Sequence, residues 1–103
     1  MPRLVRVASI DEIPVRRGKT IEVDGIELAL FNAGEGRYYA SSPLCPHEDG
    51  PLGEGALEGD VVICPWHGFD FDLRTGRCLV DPELHVRVYP VRVEGRDLFV
   101  ELP

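Results

Sequence analysis

Two short segments constrain this chain more than anything else in it: Cys45-Pro46-His47 and Cys64-Pro65-Trp66-His67. Each puts one thiol and one imidazole within a few residues, and sixteen residues separate His47 from Cys64. Ligands that close in sequence can reach one small inorganic centre from a single loop. The chain must therefore fold so that two irregular loops meet. Pro46 and Pro65 fix φ beside each Cys and reduce the entropy lost when the loops are ordered. Gly50 and Gly68 remove a Cβ where backbone must approach closely, and bare N–H groups there can face negatively charged sulfur.

The rest of the sequence reads as the frame for those loops. Period-two patterning dominates, and no segment sustains a helical period. Leu4, Val5 and Val7 open the chain as a strand. Lys19 to Val23 and Ile26 to Phe31 flank Asp24-Gly25, a two-residue hairpin signal. Arg37 to Ser42 follows a glycine turn, and Val61 to Ile63 is a short strand. Arg77 to Val80 has strand character. Val86, Val88, Val91 and Val93 punctuate one further strand, and Leu98 to Leu102 alternates in the last. Ser9 and Glu12 have capping-box spacing, which predicts one helical turn. The class is all-β and antiparallel, with about nine short strands. Between them, Pro43 to Gly59 holds four Gly and three Pro in 17 residues. Loops of that length in a compact domain are usually functional or disordered.

Length and charge close off several functions. The 103 residues fit one domain, and a 44% apolar fraction excludes disorder of the whole chain. The longest unbroken apolar runs, Leu28 to Phe31 and Val61 to Cys64, are far too short to span a bilayer. The N-terminus lacks the apolar stretch of a signal peptide, and the charges after Arg16-Arg17 argue against a twin-arginine signal. A net charge of −7 disfavours nucleic acid and favours a basic protein partner. Three Cys (45, 64 and 78) make an odd count, so metal binding in a cytoplasmic protein is expected ahead of a disulfide framework.

Two Cys and two His fit a tetrahedral structural Zn²⁺ site. They also fit a [2Fe–2S] centre with the thiolates on one iron and the imidazoles on the other. Zinc fingers pair Cys with Cys and His with His, whereas here each loop mixes the two. In this the chain resembles the Rieske [2Fe–2S] family, whose pattern is Cys-x-His, about 16 residues, then Cys-x-x-His. Gly50-Pro51-Leu52, Gly55, Gly59-Asp60, Gly68 and Thr75-Gly76 match the family as well. The resemblance covers essentially all of residues 1–103 as a single domain. It implies stacked antiparallel sheets with an inserted cluster-binding subdomain at about 43–81, on a base of 1–42 and 82–103. It also implies one Rieske [2Fe–2S] cluster per chain, held by Cys45, His47, Cys64 and His67.

Departures from the family narrow the function. Members in cytochrome bc complexes have a disulfide between the loops, at positions held here by Gly50 and Trp66. They also have Ser and Tyr donors to sulfur where this chain has Phe69 and Phe71. The chain is too short to add an oxygenase's mononuclear iron site. It has no nucleotide fingerprint, so it is read as a carrier or subunit without a catalytic site of its own. The resemblance then implies a soluble one-electron ferredoxin between a flavin reductase and a terminal oxygenase. The alternative is the small subunit of an NAD(P)H nitrite reductase, whose tail resembles Arg87 to Val93. A structural zinc or cluster-free interaction domain is the reading of another class. No nucleic-acid or membrane partner is expected.

Other residues carry weaker expectations. Cys78 reads as a small buried hydrophobe and His85 as a solvated loop residue. Tyr38 and Tyr39 read as packing residues, and Asp81-Pro82 as part of a third loop over the cluster. Trp66 either shields the cluster or belongs to a docking patch. Glu48, Asp49, Glu54, Glu58, Asp60, Asp70 and Asp72 form a run without Lys or Arg. It reads as an acidic ring that steers the loops onto a basic partner.

Overall fold

The computed structural model describes residues 3–46, 50–66 and 68–102. The run Leu28 to Phe31 explains the architecture, because every side chain in it is fully buried. A strand buried on both faces must lie between two other layers. This one, β3 (Ile26–Gly34), does so: Leu28 and Leu30 point into one apolar core, and Ala29 and Phe31 into another. It sits inside a four-stranded sheet of order β2-β3-β4-β8, with β2 at Arg17–Val23, β4 at Arg37–Ser41 and β8 at Val88–Tyr89.

The first core is closed by a three-stranded sheet of order β1-β10-β9, formed by Arg3–Ser9, Asp97–Leu102 and Val91–Glu94. Leu98, Val100 and Leu102 face Leu28, Leu30 and Ala40 across it. The second core is closed by a sheet of order β5-β6-β7, at Ala56–Glu58, Val61–Ile63 and Asp70–Asp72. Its Leu57, Val62 and Phe71 pack with Phe31, Leu52, Cys45, Cys64 and Cys78. Every strand pairing is antiparallel, so the all-β, antiparallel, stacked-sheet expectation holds. No helix among the described residues is long and apolar enough to cross a membrane.

Several local readings change. Val86 to Val93 is not one strand. Pro90 has no N–H to give a ladder, and there the chain leaves the sheet of β4 as β8 and enters that of β10 as β9. Pro43 to Gly59 is not all loop, since it contains a 3-10 turn at Leu52–Glu54 and strand β5. Asp70–Asp72 forms a strand that its sequence did not announce. Arg77 to Val80 forms only isolated bridges, Phe71 with Cys78 and Arg77 with His85. The described residues thus hold ten strands. The capping box is present on a 3-10 turn, Ile10–Glu12, where Glu12 accepts the Ser9 N–H at 2.7 Å.

One polar hub joins the inserted sheet to the base. Asp60, in the β5–β6 turn, accepts two hydrogen bonds from Arg37 Nη1 at 2.7 and 2.9 Å. It accepts a third from the Tyr39 hydroxyl at 2.6 Å. Its backbone carbonyl accepts the Leu73 N–H at 2.8 Å. Gly53 completes the contact, because a Cβ there would lie 2.6 Å from Thr20 Oγ1 and 3.0 Å from Thr20 N on β2.

Burial, then the neighbouring Asp60 carboxylate, raises the Tyr39 pKa above its ordinary value. A raised folded-state pKa favours the protonated form, so its contribution is complete at neutral pH. It is lost as pH climbs from the unfolded-state value through the folded one. Tyr39→Phe should therefore cost about 1–2 kcal/mol of stability at pH 7, the worth of a hydrogen bond to a charged group. The deficit should shrink above about pH 10. Urea unfolding of both proteins at pH 7 and pH 11 checks this. A deficit that grows with pH would contradict the assignment.

Candidate metal centre

The two motif loops are closed in the same way. The Cys45 N–H donates to the Gly50 carbonyl at 2.8 Å, and the Cys64 N–H donates to the Phe69 carbonyl at 2.7 Å. In each case the Cys amide bonds to the residue five positions on, and the motif His lies within the closed turn. The first loop is reinforced by a Leu44–Pro51 bridge and by Leu52 N–H to the Pro43 carbonyl at 3.0 Å. The Cys residues therefore sit at the necks of their loops, where backbone pairing fixes them.

The necks meet. Cys45 and Cys64 are both fully buried and share one apolar core. A Cβ at Gly50 would fall 2.6 Å from Cys64 Sγ and 3.2 Å from the Trp66 Cβ and Cγ. The first loop thus lays bare backbone against the sulfur of the second. Positions 50 and 66 approach as closely as a disulfide pair would, but carry Gly and Trp. Of the four expected ligands, the structure brings the two thiols together. His47 and His67 lie outside the described residues, as do Glu48 and Asp49. The donor set fits an iron–sulfur group: two buried thiols in an apolar setting, with the bare backbone of Gly50 laid against one of them.

A third loop covers the same end of the fold. Cys78 N–H donates to the Leu84 carbonyl at 3.1 Å, and Leu79 N–H to the Asp70 carbonyl at 2.9 Å. Asp81 N–H donates to Cys78 Sγ at 3.4 Å, and Asp81 Oδ1 accepts the Glu83 N–H at 3.0 Å. Cys78 is the buried hydrophobe its sequence suggested, with a second role as acceptor for this loop. His85 is exposed.

The acidic ring is reshaped by folding. Arg37 takes Asp60, and Arg74 binds Asp72 through Nη2 at 2.9 Å. The Arg74 hydrogen bond holds the Asp72 carboxyl below its ordinary pKa. Asp70 is partly buried, and its Oδ1 has no hydrogen-bond partner. Among the described members only Glu54 and Glu58 are exposed and in no ion pair. Sequence reasoning missed the Arg37–Tyr39–Asp60 hub, although Gly59-Asp60 had matched the family pattern.

A model of the Rieske [2Fe–2S] domain matches residues 3–90, and the chain belongs to that family. A Rieske-type [2Fe–2S] cluster is therefore its cofactor class, which sets the zinc reading aside. The chain is 37% identical over 98 residues to the biphenyl dioxygenase ferredoxin subunit of Pseudomonas sp. (strain KKS102), covering 93% of this chain and 89% of that one. Its backbone resembles the ferredoxin of carbazole 1,9a-dioxygenase from Nocardioides aromaticivorans IC177. That likeness has a TM-score of 0.83 and 34% identity, over 94% of this chain and 95% of the other. It also resembles a putative NADH-dependent nitrite reductase small subunit from Mycobacterium tuberculosis. There the TM-score is 0.91 and the identity 26%, over 100% of this chain and 97% of the other.

Gly50→Ala tests the cradle. The added methyl group would press on Cys64 Sγ, so iron and acid-labile sulfide should fall well below the wild-type content, while far-UV circular dichroism stays that of a β protein. Cys78→Ala should keep its colour. Full cluster loading in the Gly50 variant would show that the bare backbone is not required.

Proposed function

We propose that the chain is a one-electron carrier of the cytoplasm, passing electrons from a flavin reductase to a terminal oxygenase. Cys45, His47, Cys64 and His67 would hold its Rieske [2Fe–2S] cluster, on a subdomain of about residues 43–81. The observation that carries the reading is the meeting of two identically closed loops, each with its Cys at the neck and its His in the turn. When bound, the cluster supplies reversible one-electron storage. The chain's part is to keep Cys45 and Cys64 in a dry core and to set the electrostatic environment. Its relatives' names support an oxygenase as the acceptor.

The residues around the loops favour a low potential. Rieske centres span about −150 to +300 mV, and hydrogen bonds to sulfur and local charge move them within that range. Phe69 and Phe71 offer no hydroxyl. Phe71 is fully buried, so water cannot take the place of a donor there. Asp70 adds an acidic side chain with an unpartnered oxygen at the base of the second loop. All three features disfavour the more negative, reduced state.

A second reading has its own support, since the likeness to the nitrite reductase small subunit extends over the whole chain. Arg87 to Val93, which carries the sequence likeness to those subunits, is the segment that crosses between sheets at Pro90. Reconstitution separates the two readings. The purified chain should accelerate electron delivery from a flavin reductase to an oxygenase, and should not copurify with a sirohaem protein.

Iron and sulfide analysis should give two of each per chain, and the reduced protein should show a rhombic EPR signal. Ala at any of the four ligand positions should abolish both. The wild-type midpoint should lie in the lower part of the range given, and Phe69→Ser should raise it. A colourless protein holding one zinc ion would overturn the reading.

A further inference from the structure

Seven large apolar side chains are exposed among the described residues, and four of them lie on the three loops of the cluster end. Leu44 is 49% exposed on the first loop and Trp66 48% on the second, while Leu79 and Val80 are 55% and 60% exposed on the third. Single exposed aliphatics are ordinary, but a group of them on one functional end is not.

The loops hold these side chains outward. The backbone that carries Leu79 is pinned by its N–H bond to Asp70, and the loop that carries Val80 is clamped by the Cys78–Leu84 and Asp81–Cys78 bonds. Leu44 stands beside the neck at Cys45, opposite Pro51. Trp66 packs its Cβ against Gly50, which leaves half of the side chain in water. Of the acids that could form a competing charged face, Asp60 is paired with Arg37 and Asp72 with Arg74.

We infer that Leu44, Trp66, Leu79 and Val80 form a preorganised apolar docking face. Its occupant is a separate redox protein whose contact surface is an apolar ledge rimmed by cations. This rests on the carrier reading and names how the carrier grips its partner. Two alternative occupants fit poorly. A second copy of a chain with net charge −7 would be repelled, and so would an anionic lipid surface. Four side chains also bury too little area for a permanent dimer, but enough for the small, short-lived contacts of electron-transfer partners. The apolar anchor supplies grip, and the chain's overall negative charge supplies long-range attraction to the cationic rim.

Cytochrome c has the stated chemistry, an apolar haem edge ringed by lysines, and serves as the probe. The double variant Leu79→Ser/Val80→Ser should lower the second-order rate of cytochrome c reduction about tenfold, as expected when two contact residues are truncated. That loss should persist from low to high salt. The variant's visible spectrum, midpoint potential and reversible bleaching by dithionite should stay those of the wild type. Glu54→Gln/Glu58→Gln should change the rate less than twofold at physiological salt. Backbone amide shifts on titration with oxidised cytochrome c map the contact without any electron transfer, and should centre on residues 44 and 78–84. Rates of the serine variant within twofold of wild type, or shifts centred on 54–58 and sparing 78–84, would overturn the docking face. Failure of wild type to bleach reversibly would instead strike the carrier reading, while the amide shifts still decide the face.

Discussion

The structure depends on one strand being buried on both sides. β3 sends Leu28 and Leu30 into the core beneath β10 and Ala29 and Phe31 into the core beneath the inserted sheet. Each fully buried large side chain of this kind is worth about 1.5–3 kcal/mol, and here the two faces stabilise different parts of the protein. One holds the base together. The other gives the inserted sheet an apolar floor that its own three-residue strands could not supply. Phe31 is therefore as much a part of the core beneath the inserted sheet as Leu52 or Phe71, although it lies on β3.

On that floor, geometry is handed upward in steps. The Asp60 hub sets the height and angle of the β5–β6 turn against β4. Strand β6 then leads into Cys64, and β7 leads back from Phe69, so the second loop begins and ends on one ladder rung. Gly53 lets the 3-10 turn lie flat on β2, which brings Gly50 and Cys45 back to meet that loop. Neither Cys45 nor Cys64 has to be placed by its own side-chain preference. Both thiols are positioned by backbone hydrogen bonds, Cys45 to Gly50 and Cys64 to Phe69.

What was legible in the sequence follows the strength of each local signal. The motif spacing pointed to the meeting of the loops, because Cys, Pro and Gly at fixed offsets admit few geometries. The hairpin at Asp24-Gly25 was readable for the same reason, and both residues adopt positive φ. The run Leu28 to Phe31 was visible as apolar, but which partners covered its two faces was not. β5 and β7 were missed because each carries one large apolar residue, Leu57 or Phe71, among small or acidic neighbours, whereas the equally short β6 is an unbroken β-branched run. Val86 to Val93 misled because its valines keep period two across Pro90, while the missing N–H makes the chain change sheets. The hub was hidden because Arg37, Tyr39 and Asp60 are each ordinary at a strand edge or turn, and only tertiary contact makes them a unit.

The treatment of charge shows how folding can change a reading taken from composition. Seven acids without a base between them look like a steering ring in one dimension. In three dimensions Arg37 comes from β4 and Arg74 from the β7 turn, and each neutralises one of them. Among the described members, Glu54, Glu58 and Asp70 remain outside any ion pair, and the chain as a whole keeps its net charge of −7. A diffuse charge attracts a cationic partner from a distance but gives little hold at contact, because exposed pairs are worth under about 1 kcal/mol and salt screens them. A few aliphatic groups at the contact give hold without orientation over distance. A carrier must find its partner quickly and leave it quickly, and separating attraction from grip in this way serves both needs.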